Sequence, residues 1–296
     1  MIARNESQEM RTTVTVGALV GSGPRRAARR GIGHVRSLEA PGASDRVVEP
    51  LDPEPLVRER PGAKRLDRAR GEVELEGVTF RYPGSTQLAL DGVSLRAEPG
   101  ETLLVVGPSD TGKWTLARLL VRLFDPDAGA VRLDGVDLRD LTLESVRANV
   151  AFLLPDQPVF EATLWENVAY ARAAATEAEI VAAASAAGVD ELAARLPDGS
   201  KTFLGLSGRR LSPGQRQRVG LARALLRDTP VVVLNEPFSG LDDAGARGLL
   251  PALHALCRAR TTILISDRAV AAELATRTVA VTDGRRAQVA PLAASG

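Results

Sequence analysis

At 296 residues, 44% of them apolar, the chain has room for one or two domains and a substantial core. A net charge of +1 excludes a global electrostatic signal for nucleic acid or an acidic partner. No apolar run approaches the roughly 18 residues of a membrane helix. The start carries no secretory apolar core, and the lone Cys257 excludes an internal disulfide. These features predict a cytoplasmic chain, or one peripheral to the inner face of the cell membrane through a membrane partner.

Residues 1–70 are rich in Arg, Gly and Pro and poor in periodicity, which predicts a flexible segment. Its cluster of Arg25, Arg26, Arg29, Arg30 and Arg36 reads as a solvated tail rather than a lipid or nucleic-acid patch. From Gly71 the pattern sharpens. Val73, Leu75 and Val78 to Phe80 predict a strand, and Leu88 to Leu95 predicts another. The apolar run Leu103 to Val106 predicts a buried strand, followed by Gly107-x-x-x-x-Gly112-Lys113 and an apolar helical pattern through Leu116, Leu119 and Leu120. This is a phosphate-binding loop: glycines let backbone N–H groups turn inward, the lysine supplies charge, and the helix start attracts an anion. Its closing residue is Trp114 instead of a hydroxyl; an indole has one N–H and no oxygen for a metal. Gly129 to Gly135 predicts a hairpin closed at Asp134-Gly135. Residues 163–196 are Ala-rich with helical spacing and a break at Gly188, and Gln215 to Arg227 predicts another helix. Val231 to Leu234, Thr262 to Ile265 and Thr278 to Val281 complete a strand–helix alternation, hence a parallel sheet with ligands at the strands' C-terminal ends.

The order of motifs resembles the ATP-binding cassette of ABC transporters, of exporter type, over about residues 44–284. In that resemblance Tyr82 stacks on adenine, and Gly107, Pro108, Ser109, Asp110, Thr111, Gly112, Lys113, Trp114 and Thr115 form the Walker A loop. Leu211, Ser212, Pro213, Gly214 and Gln215 form the signature that meets the nucleotide across a dimer. Leu234 to Pro237 is Walker B, with Glu236 as general base; Asp242 belongs to the D-loop, and Asp267 holds the switch-histidine position. Trp165 falls where exporters meet the coupling helix of their membrane domain, and plain packing is an equal reading. Ser44 to Asp52 looks like the linker after an exporter's last membrane helix. The implied fold is α/β: a P-loop NTPase (RecA-like) core, an antiparallel β flank near residues 71–100 and a helical subdomain near 155–218. Residues 285–296 form a tail. The implied ligands are ATP and Mg2+; the implied partners are a second cassette, in a homo- or heterodimer, and a separate transmembrane domain, with no nucleic acid.

Five positions depart from the family pattern, and nearly all cluster where nucleotide is expected. Trp114 replaces the magnesium hydroxyl, and one helical step turns Thr115 about 100° away. Asp110 puts a carboxylate beside phosphates. Asn235 replaces the Walker B aspartate with a neutral amide. Pro155 falls on the Q-loop glutamine, with Gln157 as a misregistered substitute. Asp267 turns a donor at the γ-phosphate into an anion. One like-charge pair at about 4 Å costs about 1 kcal/mol in water and about 4 kcal/mol at an effective dielectric of about 20. The expectation is weakened magnesium binding, no confident metal ligand, and hydrolysis impaired more than binding. Three readings stand at this point: the ATPase subunit of an exporter, a non-hydrolysing cassette that dimerises with a competent partner, and a decayed exporter remnant.

Overall fold

The computed structural model describes residues 56–108, 111–205 and 210–282, with 286–290 as backbone. Ser109, Asp110, the linker-like segment, the arginine cluster and residues 291–296 lie outside the described residues; of the tail expected over 285–296, Arg286–Ala290 is instead a strand paired with the sheet.

Alternating apolar positions in Val73–Phe80 (β1) and Leu90–Ala97 (β2) bury one face of each strand. With Ala128–Leu133 (β4) and Val136–Asp137 (β5) they form an antiparallel sheet in the order β2-β1-β4-β5. The expected flank therefore extends past residue 100 to include the hairpin. Asp134 and Gly135 close that hairpin with positive φ (50° and 79°), as a two-residue turn demands.

The second sheet contains Thr102–Val106 (β3), Val150–Leu153 (β6), Val231–Asn235 (β7), Thr261–Ile265 (β8), Arg277–Thr282 (β9) and Arg286–Ala290 (β10). Its order is β10-β9-β3-β8-β7-β6, parallel throughout except for the β9–β10 pair. The continuous apolar runs follow from burial on both faces. Val231 and Val233, Leu103 and Val105, and Ile263 and Ile265 enter one core, shared with the antiparallel sheet. Val232, Leu234, Leu104 and Leu264 enter a second core on the opposite face.

Lys113–Leu120 (α1) packs in the first core, and Leu143–Asn149 (α2) leads into β6. The helical subdomain holds Leu164–Ala169 (α3), Glu177–Ala186 (α4) and Val189–Ala193 (α5), packed on Pro213–Arg227 (α6). Thr163–Glu166 and Thr176–Glu179 capping boxes start α3 and α4, and Gly188 at φ 68° provides the expected break. Asp243–Cys257 (α7) covers the second core. Cys257 is buried there, and burial pushes its thiol up, so it is packing rather than a nucleophile.

The flexible segment expected through residue 70 is too long. Lys64 bridges Leu141, the Leu66 N–H donates to Ser145 Oγ, and the Ala69 N–H donates to Asn149 Oδ1. The Asp134 carboxylate accepts from the N–H groups of Arg70, Gly71 and Glu72. These tethers come from α2 and the hairpin tip, far away in sequence, so no local pattern in residues 60–70 announces them.

Candidate functional site

Strands β3, β8 and β7 are neighbours, and their C-terminal ends carry the glycine loop, Ser266-Asp267 and Asn235-Glu236 respectively. The topology thus brings together residues 160 positions apart. Gly107 (φ 151°) and Gly112 (φ 85°) leave no room for a side chain: a Cβ would strike the Val281 carbonyl at the first and the Ala89 carbonyl at the second. Gly112 is the N-cap of α1. Pro108 is exposed, whereas Thr111 is buried and donates from Oγ1 to the Pro108 carbonyl at 2.9 Å.

Lys113 opens α1 with only 9% of its side chain exposed. Its ammonium donates to the Gly107 carbonyl and pairs with the Asp267 carboxylate. Asp267 Oδ1 also accepts the Gly107 N–H at 3.1 Å. One carboxylate therefore holds both the lysine and a loop amide, two donors that phosphate oxygens would use.

At the end of β7, Asn235 is 2% exposed and its Nδ2 has no hydrogen-bond partner. Glu236 sits at φ 46°, a strained region for a non-glycine residue. Its N–H donates to the Ile265 carbonyl at 2.8 Å, and Ser266 Oγ donates to its Oε2 at 3.2 Å. Burial, and then the Asp267 charge, push the Glu236 carboxyl above its usual range; Ser266, Lys113 and Arg268 pull the other way.

Lys113, Glu236, Asn235 and Asp267 line one cleft of about 460 Å3, together with Tyr82, Trp114, Thr115, Arg118 and Pro155. Trp114, 36% exposed, faces the Arg118 guanidinium, which lies 4.7 Å from its ring centre and 5.6 Å from that of Tyr82. Tyr82 meets Phe80 and Phe124 edge to face, and its hydroxyl shares a hydrogen bond with Thr115 Oγ1 at 3.1 Å. The Thr115 hydroxyl is thus engaged by the tyrosine.

Other expected positions stand apart from this cleft. Leu211 is buried; Ser212 and Gln215 form the capping box of α6, with Pro213 at its first turn. Gly214 lies against Leu241, and Asp242 caps α7. Within one chain, then, the signature and D-loop residues do not line the Lys113 cleft. Gln157 is no substitute for the Q-loop residue: it is 6% exposed, lies against Gly220 and donates to the Leu154 carbonyl. Trp165 packs in the helical subdomain along an apolar cavity with Leu164, Val168 and Val181. Arg218 and Arg223 of α6 donate to carbonyls: Ala187 and Gly248 for the first, Asn167 and Pro158 for the second. Sequence reading missed Ser266 and Arg118. Ser266 could have been found as the first polar residue after β8; Arg118 lies one helical turn beyond Trp114.

Among known proteins, residues 90–239 match the family described as ABC transporter. Over 226 residues the chain is 45% identical to an ATP-dependent lipid A-core flippase of Dechloromonas aromatica (strain RCB), covering 76% of this chain and 39% of that protein. Over 224 residues it is 39% identical to ABC transporter B family member 1 of Arabidopsis thaliana, covering 75% of this chain and 17% of the relative. A solved bacterial Atm1-family ABC exporter with ATP bound superimposes with a TM-score of 0.76 at 33% identity, over 83% of this chain and 43% of that one. The chain spans about two fifths or less of the length of these relatives. No helix among the described residues is long and apolar enough to cross a membrane.

Proposed function

The chain belongs to the ABC transporter family, and from that membership we propose that it is the ATP-binding part of an exporter, coupling nucleotide binding, and slow hydrolysis at most, to transport through a transmembrane domain. The observation that carries this reading is the shared cleft: a buried lysine on a glycine loop and a strand-end glutamate face the same space. Tyr82 provides the aromatic wall for the base, the loop amides and Lys113 serve the phosphates, and Glu236 orients an attacking water. The exposed tip of α6, with Ser212 and Gly214, would complete the site of a second cassette in a head-to-tail dimer. The chain would then work at the inner face of the membrane, on its membrane partner.

A second reading, a cassette that binds but does not turn over ATP and relies on a competent partner, is favoured by a specific observation. Neither Trp114 nor Asn235 offers the oxygen anion that holds magnesium, and Asp267 is paired with the lysine meant for phosphate. Magnesium would be held weakly at best. A decayed remnant is the limiting case of this series.

Thermal unfolding tests the nucleotide assignment. ATP is expected to raise the midpoint of the purified chain, and Lys113→Ala to abolish that rise. If ATP leaves the midpoint of the parent chain unchanged at millimolar concentration, the assignment fails.

Glu236→Gln gives a second test. Any turnover should vanish while the variant becomes more stable at neutral pH. With its folded pKa raised, Glu236 holds a proton that the unfolded chain has already lost, so its presence costs stability as pH rises through that window. The two melting curves should converge near about pH 4, the ordinary glutamate range, and separate as the pH rises above it, with glutamine above. Equal midpoints throughout would remove the charge penalty assigned to Glu236.

A further inference from the structure

The residues at the expected magnesium position do not fit that ion. Trp114 supplies an N–H and no oxygen. Asn235 is 2% exposed and puts a neutral amide where a metal-holding carboxylate is expected. Among the described residues, no group of three or more His, Cys, Asp or Glu side chains is placed to hold a metal. Beside the carboxyl groups of Glu236 and Asp267, the cleft offers Lys113 and Arg118 to an anion, and the Gly107 N–H points to Asp267 at its edge. A carboxylate of the chain itself, Asp267, already sits on the lysine and that amide.

Resting on the nucleotide reading above, we propose that this cleft takes a nucleoside triphosphate without a divalent cation, and that the phosphate tail binds by displacing Asp267 from Lys113 and the Gly107 N–H. Asp267 is then an internal competitor for the phosphate seat. It is suited to leaving, since its side chain is 49% exposed while that of Lys113 is 9% exposed. Once freed, the carboxylate moves into water; the lysine, buried behind the loop, stays with the phosphates. Charge balance supports the same order of events: a metal-free triphosphate brings more negative charge to Lys113 and Arg118 than its magnesium complex does.

Calorimetric titration of the full chain with ATP, in excess EDTA and in excess magnesium, tests this. The expected result is a Kd that agrees within about threefold between the two conditions. Asp267→Asn removes the competing charge at nearly constant volume and should tighten ATP about tenfold in EDTA. Inorganic tripolyphosphate should gain by the same factor, because the gain arises at the phosphates and not at the base. Asp267→Ser carries the same expectation should the asparagine variant fail to fold. Magnesium tightening ATP tenfold or more in the parent chain overturns metal-free binding and leaves the nucleotide reading intact. Unchanged affinity in both Asp267 variants overturns the competitor role. No binding of ATP or tripolyphosphate in any variant, with or without magnesium, overturns both the proposal and the nucleotide reading beneath it.

Discussion

Replacing Trp114 with serine and Asn235 with aspartate together is expected to make ATP binding depend on magnesium, tightening it about tenfold to a hundredfold over binding in EDTA. Each single change returns one oxygen ligand, and a cation that prefers octahedral oxygen coordination needs both a hydroxyl and a carboxylate to stay near the β- and γ-phosphates. The two effects should therefore exceed their sum, the signature of residues sharing one partner. The single variants also separate by stability. Trp114→Ser gives up a half-exposed ring against Arg118, a loss of about 0.5–1 kcal/mol. Asn235→Asp places a carboxylate at a position 2% exposed, beside Glu236 and with Lys113 already paired to Asp267, so its melting point should fall further. Magnesium with ATP should restore the midpoint of the double variant and leave that of the parent chain unmoved relative to ATP alone. An affinity ratio near one in the double variant would mean that these two positions are not where a metal binds.

The architecture was legible because its strands are buried on both faces. Such strands give unbroken apolar runs, and β3, β7 and β8 stand out in the sequence for that reason. Lys113 could be named in advance from the glycine loop that follows β3, and Glu236 and Asp267 from the resemblance of the motifs after β7 and β8 to the family pattern. What the sequence did not disclose is which of them touch. The Lys113–Asp267 pair spans 154 positions and exists because β8 pairs in parallel with β3. The left-handed backbone at Glu236 was equally hidden, since glutamate has no preference for that conformation. The start of the domain was misplaced for a similar reason: residues 60–70 are fixed by acceptors on Ser145, Asn149 and Asp134, not by any periodicity of their own. Gln157 illustrates the opposite error. Its chemistry suits the Q-loop, but proximity in sequence to Pro155 says nothing of direction, and the side chain turns inward toward Gly220.

Asn167→Leu is expected to cost about 3–5 kcal/mol, among the largest losses available to a single substitution in the helical subdomain. The side chain is fully buried and occupies the centre of a polar network. Its Nδ2 donates to the carbonyls of Phe160, Ala162 and Thr163 at 3.1, 3.3 and 3.0 Å; its Oδ1 accepts from the Phe160 N–H at 2.9 Å and from Arg223 Nη2 at 2.8 Å. Leucine matches the volume and satisfies none of these, leaving backbone groups and a guanidinium unpaired. Arg223 is already under strain from burial, which pushes its pKa down to about 10, and it survives on carbonyl oxygens and the face of Phe160 at 5.0 Å. Asn167→Asp should cost less, because it keeps the acceptor and gives Arg223 a counter-charge while losing the amide donors. Urea midpoints of the three proteins should order as parent, aspartate, leucine, with amide exchange faster across residues 158–164 in the leucine variant. That stretch contains the exposed Phe160, whose ring centre lies 4.5 Å from that of Tyr170. A leucine variant with parental exchange rates there would show that the segment is held by something other than Asn167.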